Sequence, residues 1–440
     1  MDPIDLNYFE KRYKGRAMMK CSLFGSATPG FRYAISPHKI EDIPMPEQAM
    51  LFVEQPKTRD RKYVIKIGDT IKTGQKVNVF DNVVSTTMSG VTGSVTDIQT
   101  YRGDYGQTYT SLSIKTADDD MDDTIAALTQ STSLDDLLPF SGNIPGAPDL
   151  TVFKRFESAI HTVVINVLDD DLLVSVNQWA TQYRTSNIKH GVGFLKNIPG
   201  VKRILLVAPE RMLSVVNTIG VEVSVIDETY PNVLPAFIMR DHLDTILPEG
   251  KTPEELGITF LKAEAVASIG HMVDKKQMPL EKIVTVVRRD GSCHNACVRM
   301  GTPLKNVFDC LNITTRSGDR VIIGGPMRGS AVYSEDIPVL PSTDCIVIQS
   351  ESDIPGVSNA PCTNCGECVR VCPVEIPVNV LVRYLENGLY EDARDLCDLM
   401  CCVECGLCSY VCPAKMPVFQ YIKLGKHELS QIETAEEQDE

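Results

Sequence analysis

At 440 residues the chain is too long for one compact core and divides into two to four domains of roughly 100–150 residues each. Its 43% hydrophobic and 23% charged residues are those of globular protein, and 58 acidic against 43 basic side chains give a net charge of −15, which excludes nucleic acid and anionic lipid as main partners. No apolar run approaches the roughly 18 residues of a membrane span and the N-terminus lacks the basic, apolar, small-residue order of a secretion signal, so the expectation is a protein that stays inside the cell, able to dock on a membrane-embedded partner.

Residues 1–50 read as an irregular, proline-marked segment lying across another domain, with Pro37, Pro44 and Pro46 in extended stretches. Over 51–120, short alternating runs are broken by glycine, as in Ile67-Gly68-Asp69, Thr73-Gly74-Gln75 and Ser89-Gly90-Val91-Thr92-Gly93, and predict a β-sandwich of the biotinyl/lipoyl kind. A working carrier domain needs an exposed lysine on the hairpin between its halves. None occurs from Val77 to Ile114, so the sandwich is read as structural. Asp118 to Asp123 form a solvated acidic linker.

Three apolar, β-branched runs at 161–167, 203–208 and 221–226, separated by helix-compatible sequence, predict an α/β layer with a mainly parallel sheet over 135–275. From 280 to 340 the runs at 282–288 and 321–326 predict a small β-rich α+β module. There, Cys293 and Cys297 flank His294 like a metal clip. One such pair supplies too few ligands, and packing is the competing reading.

Ten of the fifteen cysteines crowd between Cys362 and Cys412, which reads as a metal site and not as the dispersed framework of a secreted disulfide protein. Cys362, Cys365, Cys368 and Cys372-Pro373 repeat forty residues on as Cys402, Cys405, Cys408 and Cys412-Pro413. In such C-x₂-C-x₂-C-x₃-C-P runs the first three thiolates bind one [4Fe–4S] cluster and the fourth binds the other. The expected ligands are therefore Cys362, Cys365, Cys368 and Cys412 for cluster one, and Cys402, Cys405, Cys408 and Cys372 for cluster two. Gly366 and Gly406 fall where each loop turns most tightly, and Pro373 and Pro413 redirect the chain. C-x₂-C pairs also make Cys₄ zinc sites, but eight cysteines in two matching copies have no economical zinc arrangement. With 378–387 and 391–399 reading as helices, 350–425 is predicted as an α-helical two-cluster ferredoxin domain, followed by an acidic tail, 426–440, whose end from Glu433 to Glu440 is expected to be disordered. Cys397 and Cys401 are left over, with packing as their expected role. Arg370, Arg383 and Arg394 either form a basic landing site for an acidic electron carrier or are ordinary solvated side chains.

The sandwich, the stretch Gly324-Gly325-Pro326-Met327-Arg328-Gly329 and the paired cysteine motifs occur in an order that resembles the RnfC family over about residues 35–425. RnfC proteins are one component of the Rnf complex, a membrane-bound, ion-translocating ferredoxin oxidoreductase. The resemblance implies a Rossmann-like flavin domain at 135–275, an SLBB-type β-grasp module at 280–340, and a peripheral position on the cytoplasmic face of the membrane. It also implies integral membrane subunits and ferredoxin, or another one-electron protein carrier, as partners. Where the family carries a double-glycine loop and an acidic segment for FMN and NADH, this chain has Ser141-Gly142-Asn143-Ile144-Pro145-Gly146-Ala147-Pro148 and Asn166-Val167-Leu168-Asp169-Asp170-Asp171. Pro145 and Pro148 remove two backbone donors from a loop that must cradle phosphate, so no FMN or NADH residue is expected. The leading expectation is an electron relay through two [4Fe–4S] clusters that does not use NADH and has no catalytic residue of its own. The alternatives are an FMN-containing, NADH-reactive RnfC protein whose site survives in altered form, and an iron–sulfur scaffold of another soluble reductase.

Overall fold

The computed structural model describes residues 29–37, 39–55, 62–81, 86–123, 133–155, 159–354, 356–358 and 360–439. Within them the chain is a mixed α/β, multidomain protein with a barrel-sandwich unit toward its N-terminus and a helical C-terminal region. Strand β1 (Ile40–Asp42) and the first residues of β2 (Gln48–Glu54) fall inside the segment expected to be irregular. The reason is that each is an edge of a sheet built mostly from distant residues: β1 runs parallel to β13 (Cys293–Arg299), with Ile40 opposite Asn295.

The barrel sandwich pairs β2, β7 (Thr108–Thr116), β6 (Gly93–Arg102) and β3 (Thr70–Ile71) in that order, with β4 (Lys76–Asn78) and β5 (Thr86–Met88) as a second ribbon. Alternation along β2 buries Ala49, Leu51 and Val53 against Leu112 and Ile114 of β7. The run at 64–67 forms no strand, and Val64 and Ile67 are exposed. Residues 82–85, between β4 and β5 in the sequence, lie outside the described residues. The ribbon packs closely on the rest of the chain: Met88 is buried in the α/β core, and a Cβ at Gly90 would stand 2.4 Å from the Met300 carbonyl oxygen. Arg299 Nε donates to the Gly90 carbonyl oxygen at 2.6 Å.

The expected parallel sheet is present. Its order is β10 (Glu222–Ile226), β9 (Arg203–Pro209), β8 (Thr162–Asn166), β11 (Ile258–Lys262), and every neighbour is parallel. Both faces are covered, so β8 is buried at every residue and reads as an unbroken apolar run. Val163 and Ile165 face helices α2 (Thr185–Lys196) and α4 (Ala263–Lys275), while Val164 faces α3 (Pro235–His242) and the cysteine region. Two glycines let α2 and α4 cross closely: a Cβ at Gly270 would stand 1.7 Å from the Asn187 carbonyl oxygen, and one at Gly191 2.2 Å from that of Val266. The short helix α1 (Val176–Tyr183) completes this layer.

A six-stranded sheet follows in the order β1, β13, β12 (Glu281–Val287), β16 (Cys345–Gln349), β14 (Arg320–Ile323), β15 (Ser330–Val332). It reaches past residue 340, because β16 inserts between β12 and β14, parallel to the first. Helix α5 (Leu304–Cys310) covers one face and Val174 and Val176 pack on the other.

The C-terminal region carries α6 (Glu367–Val371), α7 (Val378–Glu386), α8 (Tyr390–Cys397), α9 (Leu407–Tyr410) and α10 (Val418–Asp439). The acidic end, expected to be disordered, continues α10 to Asp439. Ile422 and Leu429 are buried against the cysteine region, and Lys426 Nζ reaches the Cys402 carbonyl oxygen at 2.7 Å, so packing and helix-favouring residues hold what charge counting reads as a tail. Among the described residues no helix is long and apolar enough to cross a membrane.

Candidate electron-transfer site

The two cysteine runs fold into near-identical loops. Left-handed backbone recurs at the forty-residue offset: Asn364 (φ 57°) and Glu404 (φ 55°), Gly366 (φ 78°) and Gly406 (φ 74°), Glu375 (φ 57°) and Lys415 (φ 53°). These turns bring backbone donors to sulfur. The Asn364 N–H donates to Cys362 Sγ and that of Glu404 to Cys402 Sγ, each at 3.4 Å. The Val374, Ile376 and Glu375 N–H groups point at the Cys372 sulfur, and that of Leu407 at Cys405. Directed amides of this kind are what thiolates on a negatively charged centre require.

Cys362, Cys365, Cys368 and Cys412 line one cavity. Burial, followed by the nearness of Cys362 and Cys365, pushes the Cys368 thiol up to about 11. On the other side, the Cys408 thiol is pushed well up by burial and then by Cys402, Cys405 and Cys372, and Cys405 is pushed up to about 12 by burial with Cys402 and Cys372 beside it. Each group thus draws its fourth cysteine from the opposite loop. Among the described residues no three or more His, Cys, Asp and Glu side chains gather closely enough to hold a single metal ion. The sulfurs stand around a space, with amides aimed at them, and that donor set fits an iron–sulfur cube, whose four corner irons each take one thiolate.

The loops are alike but their surroundings differ. Cys365 is exposed, whereas Cys405 and Cys408 are buried. The second loop lies against the parallel-sheet layer: Tyr230 donates its hydroxyl to the Cys405 carbonyl oxygen at 2.7 Å, and a Cβ at Gly406 would stand 2.5 Å from the Met327 carbonyl oxygen. Only glycine satisfies both the left-handed turn and that approach.

The sequence did not point to Asp171, which clasps the Gly-rich stretch behind this loop. Its carboxylate accepts from the Met327 N–H at 3.1 Å and the Arg328 N–H at 2.6 Å, so the acidic segment after β8 and the loop after β14 are one structure. Acidic runs usually mark solvated faces, and no local signal distinguishes this one. Burial outweighs these donors and pushes the Asp171 carboxyl up to about 7. Its pKa is thus raised above the unfolded value of about 4. The folded chain therefore holds a proton that the unfolded chain has released, and the stability this supplies is present below about pH 4 and lost as pH rises to about 7. Urea midpoints at pH 4 to 7 are expected to show wild type losing a few kcal/mol relative to Asp171→Asn, about 1.4 kcal/mol for each pH unit. Parallel pH profiles would refute this.

The other flagged residues do not converge. Alternation along β13 places Cys293 and Cys297 on the face that packs with Val174 and Val176, where the Cys297 thiol donates to Glu281 at 3.4 Å, while His294, on the other face, lies 3.8 Å from Glu41. Cys397 is buried in the core of the C-terminal region, and Cys401 packs against the same core. Arg370 pairs with Glu367, and Arg394 with Asp395 and Glu433. Arg383 alone of the three has no ion pair among the described residues.

The 141–151 loop spends its donors on acceptors of the chain itself. The Gly142 N–H bonds the Pro148 carbonyl oxygen at 2.8 Å, Gly146 that of Pro341 at 3.0 Å, Ala147 that of Ile144 at 2.8 Å, and Leu150 the Ser141 hydroxyl at 2.8 Å. At the start of α1, the Asn177 N–H is taken by both Asp169 oxygens at 3.1 and 3.2 Å. A carboxylate of the chain itself stands where a helix N-terminus would meet phosphate.

Fold and site together define a multidomain α/β protein that ends in a twinned four-cysteine module. The RnfC barrel sandwich hybrid domain family matches residues 25–119. The C component of the ion-translocating oxidoreductase complex of Methanosarcina acetivorans is 27% identical over 38% of this chain and 37% of its own length, and that of Pectobacterium carotovorum 24% identical over 84% and 52%. The C component of the proton-translocating ferredoxin:NAD(+) oxidoreductase complex of Clostridium ljungdahlii is 24% identical over 82% of this chain and 83% of its own length. Among solved structures, an NAD+-reducing [NiFe]-hydrogenase in the H2-reduced state is similar at a TM-score of 0.42 and 12% identity, covering 69% of this chain and 64% of that one. These matches support an RnfC-family protein. The chain spans about half or less of the length of the first two of these relatives.

Proposed function

We propose that the chain is a peripheral electron-transfer subunit of a membrane-bound, Rnf-type ion-translocating ferredoxin oxidoreductase, on the cytoplasmic face, and that it works without NADH. The observation that carries this reading is the exchange of fourth cysteines between two loops of matched geometry, supported by the RnfC-type N-terminal domain and the similarity to RnfC-type relatives. Cys362, Cys365, Cys368 and Cys412 would hold one [4Fe–4S] cluster, and Cys402, Cys405, Cys408 and Cys372 the other, in an α-helical ferredoxin-type domain. Such clusters, when bound, supply one-electron chemistry.

The chain's own part is to hold thiolates, aim amides at them and exclude water from the inner loop. The parallel-sheet layer, Rossmann-like in its βα alternation, and the six-stranded sheet, read as a β-grasp module, then act as scaffold. The commitment of the 141–151 amides and of the α1 N-terminus supports the absence of FMN. Ferredoxin or another one-electron protein carrier and the membrane subunits are the proposed partners. Protein purified anaerobically is expected to contain about eight irons and eight acid-labile sulfides and to release no flavin on denaturation. Zinc in their place sinks the relay, and stoichiometric FMN with NADH reactivity shows instead that the altered site still works.

A further inference from the structure

A cavity of about 300 Å³ lies between α3, the 246–253 stretch and the second cysteine loop. Cys402 forms part of its wall, and Pro373 and Val374, which follow Cys372, form another part. Phe237, Leu247, Val374 and Val403 make the body apolar. Arg240, Lys251 and Arg328 bring three cations to it against one carboxylate, Glu249, in a chain of net charge −15. Arg240 is paired with Asp241 and Lys251 with Glu255, whereas the Arg328 guanidinium makes no hydrogen bond or ion pair among the described residues. Its backbone N–H is held by Asp171, whose carboxyl also feels the Arg328 charge. Apolar walls with a few placed polar groups are the signature of a small-molecule site, and the volume is at the small end of the roughly 300–1,000 Å³ such sites span.

We propose that this cleft binds a planar aromatic anion of two or three fused rings, of the redox-active quinone class, against the wall formed by Cys402. The assignment of Cys402 to the inner cluster rests on the relay reading above, and the cleft gives that enclosed cluster a small-molecule port, while the exposed loop around Cys365 serves a protein carrier. The apolar body takes the rings and Arg328 takes the acidic group. A ligand with a long polar tail, such as FMN, exceeds the space.

The test is isothermal titration of the full anaerobic protein with anthraquinone-2-sulfonate, with iron and labile sulfide measured on the same sample. Saturable binding at one site per chain is expected, weakened at least about tenfold in Arg328→Gln by loss of one charge-assisted contact, and abolished in Ala236→Phe, which fills the cleft. FMN is expected to bind at least tenfold more weakly than the probe. No saturable heat, equal affinity in wild type and both variants, preference for FMN, or response only to an acidic carrier protein would each overturn the proposal. Absence of binding with about eight irons present removes the port and leaves the relay standing. Binding to protein that holds zinc does the reverse.

Discussion

Cys372→Ala is expected to strip the cluster of the other loop. Protein carrying this substitution should lose about four of eight irons, and the surviving paramagnetic signal should belong to the cluster on Cys362, Cys365 and Cys368, the run in which Cys372 itself stands. The argument is spatial: the Cys372 sulfur sits with Cys402, Cys405 and Cys408, while Cys412 lines the cavity of the first loop. Cys368→Ala must then give the complementary spectrum. Iron counting and electron paramagnetic resonance on the two variants separate the crossed map from an uncrossed one, in which Cys372→Ala and Cys368→Ala remove the same signal. Burial pushes the Cys405 and Cys408 thiols of the second loop up, and a cationic centre among them is what would hold them ionised.

The placement of the cysteines in two matched loops was legible because such a loop is a local object: cysteine, glycine and proline at fixed spacing specify a turn whatever surrounds it. The parallel sheet was legible for a related reason, since strands buried on both faces leave unbroken apolar runs such as 162–166. The asymmetry between the loops was not. Nothing in Cys402 to Cys412 states that Tyr230 and Met327 will close over it, because those contacts join residues 175 positions apart in one case and depend on the bare backbone of Gly406 in the other. The acidic end misled by composition, since its backbone continues the helix whose earlier turns bury Ile422 and Leu429. The metal clip around His294 was decided by strand alternation, which sends the histidine and the two cysteines to opposite faces.

The same limit hid the most heavily buried charges. Lys282 Nζ, with no exposure, lies 2.5 Å from Glu264 Oε2 and 2.8 Å from Asp344 Oδ1, and Lys262 closes the group on Asp344. These residues come from the end of β11, the start of α4, the start of β12 and the residue before β16, so the network ties the parallel sheet to the six-stranded sheet. The Glu264 carboxylate also accepts the Ile283 N–H at 3.2 Å. Burial pushes the Glu264 carboxyl up against the pull of Lys282, whereas Asp344, also buried but set between two lysines, is held down at about 2.

Lys282→Met keeps the length of the side chain and removes its charge, which leaves Glu264 buried without a counterion. The expected cost is about 3–5 kcal/mol, the range for breaking a buried pair from one side. Trp179, the single tryptophan, packs against the six-stranded sheet and so reports on this junction. Urea unfolding followed by its fluorescence should shift accordingly. Adding Glu264→Gln removes the stranded charge, keeps an acceptor for the Ile283 N–H and should recover part of the loss, because the penalty of the single variant lies mainly in the uncompensated carboxylate. A single variant as stable as wild type, or a double variant less stable than the single, would show that the junction is held by the apolar contacts of Val174 and Val176 and not by these charges.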